Sequence, residues 1–103
     1  MKVWGITDVG LVRKENQDAY TIVEDPTTIC VVCDGMGGTN GGRIASSIAV
    51  TTYVAELMKV LRNDMTPEQL REASSYAVSL ANDEVRKAAR ELEDCRNMGT
   101  TLV

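Results

Sequence analysis

The chain has 103 residues, 44% of them apolar and 25% charged, which is the composition of one small globular domain and excludes a disordered segment. A net charge of −4 disfavours nonspecific nucleic-acid binding, which needs a basic face, and suits a site that collects cations. The longest unbroken apolar run, residues 29–33, is far short of the ~20 residues that cross a bilayer, and no apolar stretch follows Met1-Lys2, so neither a membrane span nor a signal peptide is expected and the expected location is cytoplasmic.

Residues 3–7 are β-branched and aromatic-rich and predict a strand. A polar loop with a turn at Gly10 follows. Residues 19–23 predict a second strand, Glu24-Asp25-Pro26-Thr27 is turn chemistry, and residues 28–33 return as a third strand. These two strands predict an antiparallel hairpin that would place Asp18 and Asp34 together at one end of the sheet. A glycine-rich stretch, residues 35–42, comes directly after it. Ile44, Ile48, Tyr53, Leu57 and Leu61 recur at helical spacing and predict a helix from 42 or 43 to about 61, broken at Asn63-Asp64. Thr66 then offers an N-cap, Pro67 fits the first helical position and Gln69 completes a capping-box pattern. The second helix carries Leu70, Ala73, Ala77, Leu80, Val85, Ala88 and Leu92 on one face and is expected to end near Arg96-Asn97. Residues 100–103 read as the opening of another strand. The fold class is α+β: a small antiparallel sheet with a helix pair on one face.

Three cysteines, an odd number, do not suggest a disulfide framework. Cys30 and Cys33 form a C-x-x-C, which elsewhere reads as zinc or redox chemistry. On a strand, residues three apart point to opposite faces, and the chain has no histidine and no second C-x-x-C. Both thiols are therefore expected to be reduced and buried in the core. Ile29, Val31 and Cys33 fall on one face and Cys30 and Val32 on the other. Neither set is polar, so the strand is expected to be covered on both sides.

The stretch with chemical content is Val32-Cys33-Asp34-Gly35-Met36-Gly37-Gly38. A buried strand delivers a carboxylate to its end, and a glycine follows whose missing Cβ lets the backbone carbonyl approach a ligand. Asp34 with the Gly35 carbonyl makes an oxygen pair for a hard cation such as Mg²⁺ or Mn²⁺. By itself Asp-Gly is also a common strand-ending turn. Nucleotide loops fail on spacing: a dinucleotide fingerprint needs glycine where Asn40 stands, and a P-loop ending at Gly42 would need Lys-Ser/Thr where Arg43-Ile44 stands. Upstream, Asp18 would add a second carboxylate if the strands pair, and Arg13 offers a planar fork suited to phosphate, although the segment also reads as a charged surface loop.

Three blocks now stand in order: Thr7-Asp8-x-Gly10-x-x-Arg13-x-x-Asn16-Gln17-Asp18-Ala19, then Asp34-Gly35-Met36-Gly37-Gly38 with Gly42 and Ala45-Ser46, then Met98-Gly99-Thr100-Thr101-Leu102-Val103. Together they resemble the bacterial branch of the type 2C metal-dependent protein phosphatases across nearly the whole chain. The resemblance implies that the α+β unit is half of a four-layer α-β-β-α sandwich. It implies hydrolysis of phosphoserine and phosphothreonine in proteins, with two Mn²⁺ or Mg²⁺ ions and a bridging water. Asp34 would bridge the ions, Gly35 would give its carbonyl oxygen to one, Asp18 would bind directly or through water, and Arg13 would hold the substrate phosphate.

The sequence departs from that pattern at Thr39, where the family usually has histidine, and at Arg43, where glutamate is common. The family's downstream aspartates are not among these residues. Residues 1–103 are therefore expected to be the N-terminal portion of one catalytic domain, ending within a strand and by themselves inactive and weak in metal binding. Phosphorylated proteins are the expected partners, without nucleic acid or membrane, and an uncovered sheet face or strand exchange would drive self-association. The alternative reading is a non-catalytic module that binds phosphoprotein or dimerises.

Overall fold

A computed structural model describes residues 16–24, 28–37, 40–92 and 95–103. The expected strand at residues 3–7, the turn at Asp25-Pro26-Thr27, and Arg13 and Thr39 lie outside the described residues. Five elements follow one another: β1 (Asp18–Val23), β2 (Ile29–Met36), α1 (Gly41–Val60), α2 (Pro67–Glu91) and β3 (Gly99–Thr100). The strands form one antiparallel sheet in the order β1-β2-β3. The α+β class and the strand–strand–helix–helix–strand order are as the sequence predicts.

The β1–β2 hairpin pairs Asp18 with Asp34, Tyr20 with Val32, Ile22 with Cys30 and Val23 with Ile29. β2 continues past the expected end at Cys33 because a long-range partner holds it: Gly35 pairs with Thr100 and Met36 with Gly99. The pairing extends beyond β3 itself, with Val32 and Val103 exchanging both backbone bonds at 2.9 Å.

Small residues bring α1 close to the sheet. Its buried face is Gly41, Gly42, Ala45, Ser46, Ala49, Val50, Tyr53 and Leu57, while the expected stripe members Ile44, Ile48 and Leu61 flank it, partly buried. α1 lies against all three strands, and α2 stacks on α1 through Ala77, Ala81 and Val85. Tyr53 Oη and Ser74 Oγ, 2.7 Å apart, join the two helices by a hydrogen bond. The predicted capping box is present: Gln69 N–H donates to Thr66 Oγ1 (3.1 Å) and Thr66 N–H to Gln69 Oε1 (2.9 Å).

α2 ends at Glu91, short of the expected Arg96-Asn97. Leu92 is already extended, and the chain turns so that Cys95 and Met98 enter the core and Gly99 reaches β2. A helix continued to Asn97 would carry those residues away from the sheet edge they close.

β2 alternates strictly. Ile29, Val31, Cys33 and Gly35 are buried under the helices, whereas Cys30, Val32, Asp34 and Met36 are exposed. Among the described residues both helices lie on one side, so the sheet has the helix-covered face and the uncovered face expected of this chain, and the second layer that the strand's apolar alternation calls for is not among them. Cys30, expected to be buried, faces solvent for the same reason, while Cys33 and Cys95 are buried and all three thiols are free. The opposite facing of Cys30 and Cys33 is as expected.

Candidate functional site

Side chains directly opposite one another in an antiparallel pair share a face of the sheet. Asp18 and Asp34 are such a pair, both are exposed, and both lie on the face away from the helices. The ladder fixes which kind of pair this is. Gly35 N–H donates to the Gln17 carbonyl at 3.1 Å, so the neighbouring Asp18–Asp34 pair is a non-hydrogen-bonded one, the geometry with Cα atoms about 4.5 Å apart and the closer side chains. Two carboxylates set opposite each other repel, and a divalent cation between them would offset that repulsion.

Several contacts hold this arrangement. The Asp18 N–H donates to Asn16 Oδ1 at 3.0 Å. Ser46, fully buried on α1, donates its hydroxyl to the Gln17 carbonyl at 2.7 Å and lies 3.2 Å from the Arg43 carbonyl. The Gln17 carbonyl thus accepts from both β2 and α1, which ties the approach to β1 into the first turn of the helix. On the other side, Asp34 is bound to residue 101: Thr101 N–H donates to the Asp34 carbonyl and Asp34 N–H donates to Thr101 Oγ1, both at 3.0 Å.

Glycine at position 35 has a reason beyond ligand approach. A Cβ there would run into the Gly42 carbonyl and lie 2.7 Å from the Gln17 carbonyl oxygen. β2, the segment before β1 and the first turn of α1 meet at this point with no room for a methyl group. Two residues on, Gly37 has φ +126°, a left-handed backbone that turns the chain from β2 towards α1.

The register therefore sets Asp18 opposite Asp34, with Gly35 next along β2. Arg13 lies outside the described residues. Among the described residues, no group of three or more His, Cys, Asp or Glu could hold a metal ion. Two carboxylates with a backbone oxygen fit a hard divalent cation that keeps several waters, and they fall short of a closed protein cage. Sequence reasoning singled out Asp18, Asp34 and Gly35 but gave no role to Asn16, Ser46 or Thr101. Their signal was present in the motif blocks, yet only the hydrogen bonds show what each one holds. A groove of about 720 Å³ between α2 and β3, lined by Val85, Arg86, Arg90, Arg96 and Leu102 among others, lies apart from this carboxylate pair.

Residues 12–103 match the family model described as protein phosphatase 2C. The chain is 33% identical over 99 residues to the serine/threonine phosphatase stp of Listeria innocua, covering 94% of this chain and 39% of that protein. It is 32% identical over 104 residues to the protein phosphatase PhpP of Streptococcus pneumoniae, covering 99% of this chain and 41% of that one. The crystal structure of a bacterial serine phosphatase superposes with a TM-score of 0.81 at 29% identity over 95% of this chain and 44% of that chain. The Mycobacterium tuberculosis serine/threonine phosphatase PstP/Ppp superposes with a TM-score of 0.70 at 29% identity, over 90% and 36%. The chain spans about two fifths of the length of these curated relatives.

Proposed function

The chain belongs to the protein phosphatase 2C family, and on that premise we propose that the whole protein hydrolyses phosphoserine and phosphothreonine in protein substrates, in cytoplasmic signalling. The observation that carries the reading is the Asp18–Asp34 pair, two carboxylates in register on the open face of the sheet. Two Mn²⁺ or Mg²⁺ ions, when bound, would lower the pKa of a shared water and neutralise charge on the phosphoryl group. Asp34 and the Gly35 carbonyl would hold the ions, and Asp18 would do so directly or through water. Arg13 is assigned to the substrate phosphate, which its planar guanidinium suits.

Residues 1–103 are assigned to the N-terminal portion of a single catalytic domain, on the order of their motif blocks and the share of the relatives they match. By themselves they supply only part of a metal shell. No helix among the described residues is long and apolar enough to cross a membrane.

The test uses the whole protein. Asp34→Ala is expected to abolish Mn²⁺-dependent hydrolysis of a phosphothreonine peptide, and full activity in that variant would overturn the assignment.

A second reading concerns the 103-residue chain by itself. Its open face exposes Val32 (54%) and Val103 (85%), opposite one another in register, and Met36 (61%) beyond the Asp34–Thr101 pair. An apolar face of this kind is unusual on a monomer. We propose that the isolated chain covers it with a second copy of itself, which light scattering after size exclusion would register as a dimer at micromolar concentration. A monodisperse folded monomer would refute this.

A further inference from the structure

Hydrogen-bonded pairs in an antiparallel ladder exchange two bonds, each N–H donating to the opposite carbonyl. Val32 and Val103 do so, with both bonds at 2.9 Å. Two residues along, Asp34 and Thr101 occupy the next pair of this kind, and only half of the exchange is made by backbone. Thr101 N–H donates to the Asp34 carbonyl at 3.0 Å, as the ladder requires. The Asp34 N–H instead donates to the Thr101 hydroxyl, also at 3.0 Å. The Thr101 carbonyl, which the ladder would have used, accepts from Thr100 Oγ1 at 2.9 Å. Thr101 Oγ1 also lies 3.5 Å from the Asp34 carbonyl oxygen. One side-chain oxygen therefore sits across the peptide groups on both sides of the Asp34 Cα.

The substitution of side chain for backbone occurs at the one position of β2 that carries a carboxylate on the open face. Thr101 is exposed on that same face, so Asp18, Asp34 and Thr101 form a polar row across the sheet, flanked by the apolar row Tyr20, Val32 and Val103. The bonds from Thr101 set the orientation of the Asp34 backbone, and with it the direction in which the carboxylate leaves the strand towards Asp18. We propose that Thr101 is a positioning residue for Asp34, its hydroxyl holding the Asp34 backbone and so fixing where the side chain starts that, together with Asp18, takes a divalent cation. This rests on the metal-ligand role assigned to Asp34 above.

The experiment uses the whole protein and Mn²⁺ alone as the probe, with binding measured by titration calorimetry and folding by thermal melting of the metal-free protein. Thr101→Val keeps the branched shape and removes the hydroxyl. Thr101→Ser keeps the hydroxyl and removes the methyl group. Removing a group that orients a metal ligand commonly weakens metal affinity by about 10–100-fold. Thr101→Val is expected to lose about tenfold in Mn²⁺ affinity at the lower end of that range, and Thr101→Ser is expected to bind Mn²⁺ like the unsubstituted protein. Unchanged affinity in Thr101→Val overturns the proposal. So does an equal loss in both variants, which would assign the effect to the methyl group, or a loss that only tracks a lowered melting temperature. Asp34→Ala in the same titration separates the two levels of inference: if it binds Mn²⁺ normally, the metal reading of Asp34 has failed and the Thr101 proposal falls with it. If Asp34→Ala loses binding and Thr101→Val does not, the positioning role alone has failed.

Discussion

The two faces of the three-stranded sheet are made by the same strands, and one is largely apolar while the other mixes a polar row with apolar residues. On the helix-covered face, Ile29, Val31 and Cys33 meet Ala45, Ala49, Val50 and Tyr53, and the hydroxyls of Ser46 and Tyr53 both have hydrogen-bond partners. On the open face stand Asp18, Asp34 and Thr101, beside exposed Tyr20, Val32, Met36 and Val103. Strand periodicity makes this separation possible, since alternate residues of β2 serve packing and candidate chemistry in turn. Substitutions on the covered face should therefore change stability, and those in the polar row of the open face should change function.

The strongest challenge to that division is Asp34→Ala in the whole protein. Hydrolysis of a phosphothreonine peptide is expected to vanish. Stability of the metal-free protein should change little, because Asp34 is exposed and its side chain packs into no core. A large fall in melting temperature of the metal-free variant would show that Asp34 serves the fold as well and would blur the division. Gly35→Ala, one residue along and facing the helix, should do the reverse first: overpacking against Gly42 and Gln17 should destabilise by roughly 1–3 kcal/mol in a denaturant titration. Val31→Ala, 2% exposed in the described structure, should cost roughly 2 kcal/mol through lost burial and the cavity left behind. Activity per folded molecule should survive Val31→Ala.

The division was partly legible in the sequence. Two β-rich runs around Asp25-Pro26 specify a hairpin, and a hairpin of that span puts Asp18 opposite Asp34. The capping box at Thr66 and Gln69 is local chemistry and was readable as such. What was not legible depends on distant partners. β2 outruns its Asp-Gly turn signal because Gly99 and Thr100, far along the chain, pair with its end. α2 stops early because Cys95 and Met98 are drawn into the core, which no local propensity encodes. An uncovered face was expected, but Cys30 and Val32 are as apolar as their neighbours, so only the placement of both helices reveals which half of the strand is left open and that Cys30 belongs to it. The reason for glycine at 35 was likewise hidden, since the obstructing carbonyl belongs to α1.

The smallest expected effect compares the two cysteines of β2, three residues apart and one on each face. Cys30 is exposed and should react with a thiol reagent in the folded 103-residue chain unless a second copy covers it, whereas Cys33 and Cys95 should react only on unfolding. Burial pushes the Cys33 thiol above its ordinary value of 9.0, and a hydrogen bond with the Thr100 side chain offsets part of the rise. The sign of the consequence follows from proton counting. Above that ordinary value the unfolded chain releases the Cys33 proton while the folded chain keeps it, so the unfolded state binds fewer protons and stability falls as pH rises. Below it both states hold the proton and Cys33 contributes no slope. Denaturant titrations on either side of pH 9 should therefore show an alkaline loss of stability that is smaller in Cys33→Ala. An identical alkaline slope in the unsubstituted protein and Cys33→Ala would mean that the covered face does not hold Cys33 away from water as the fold requires.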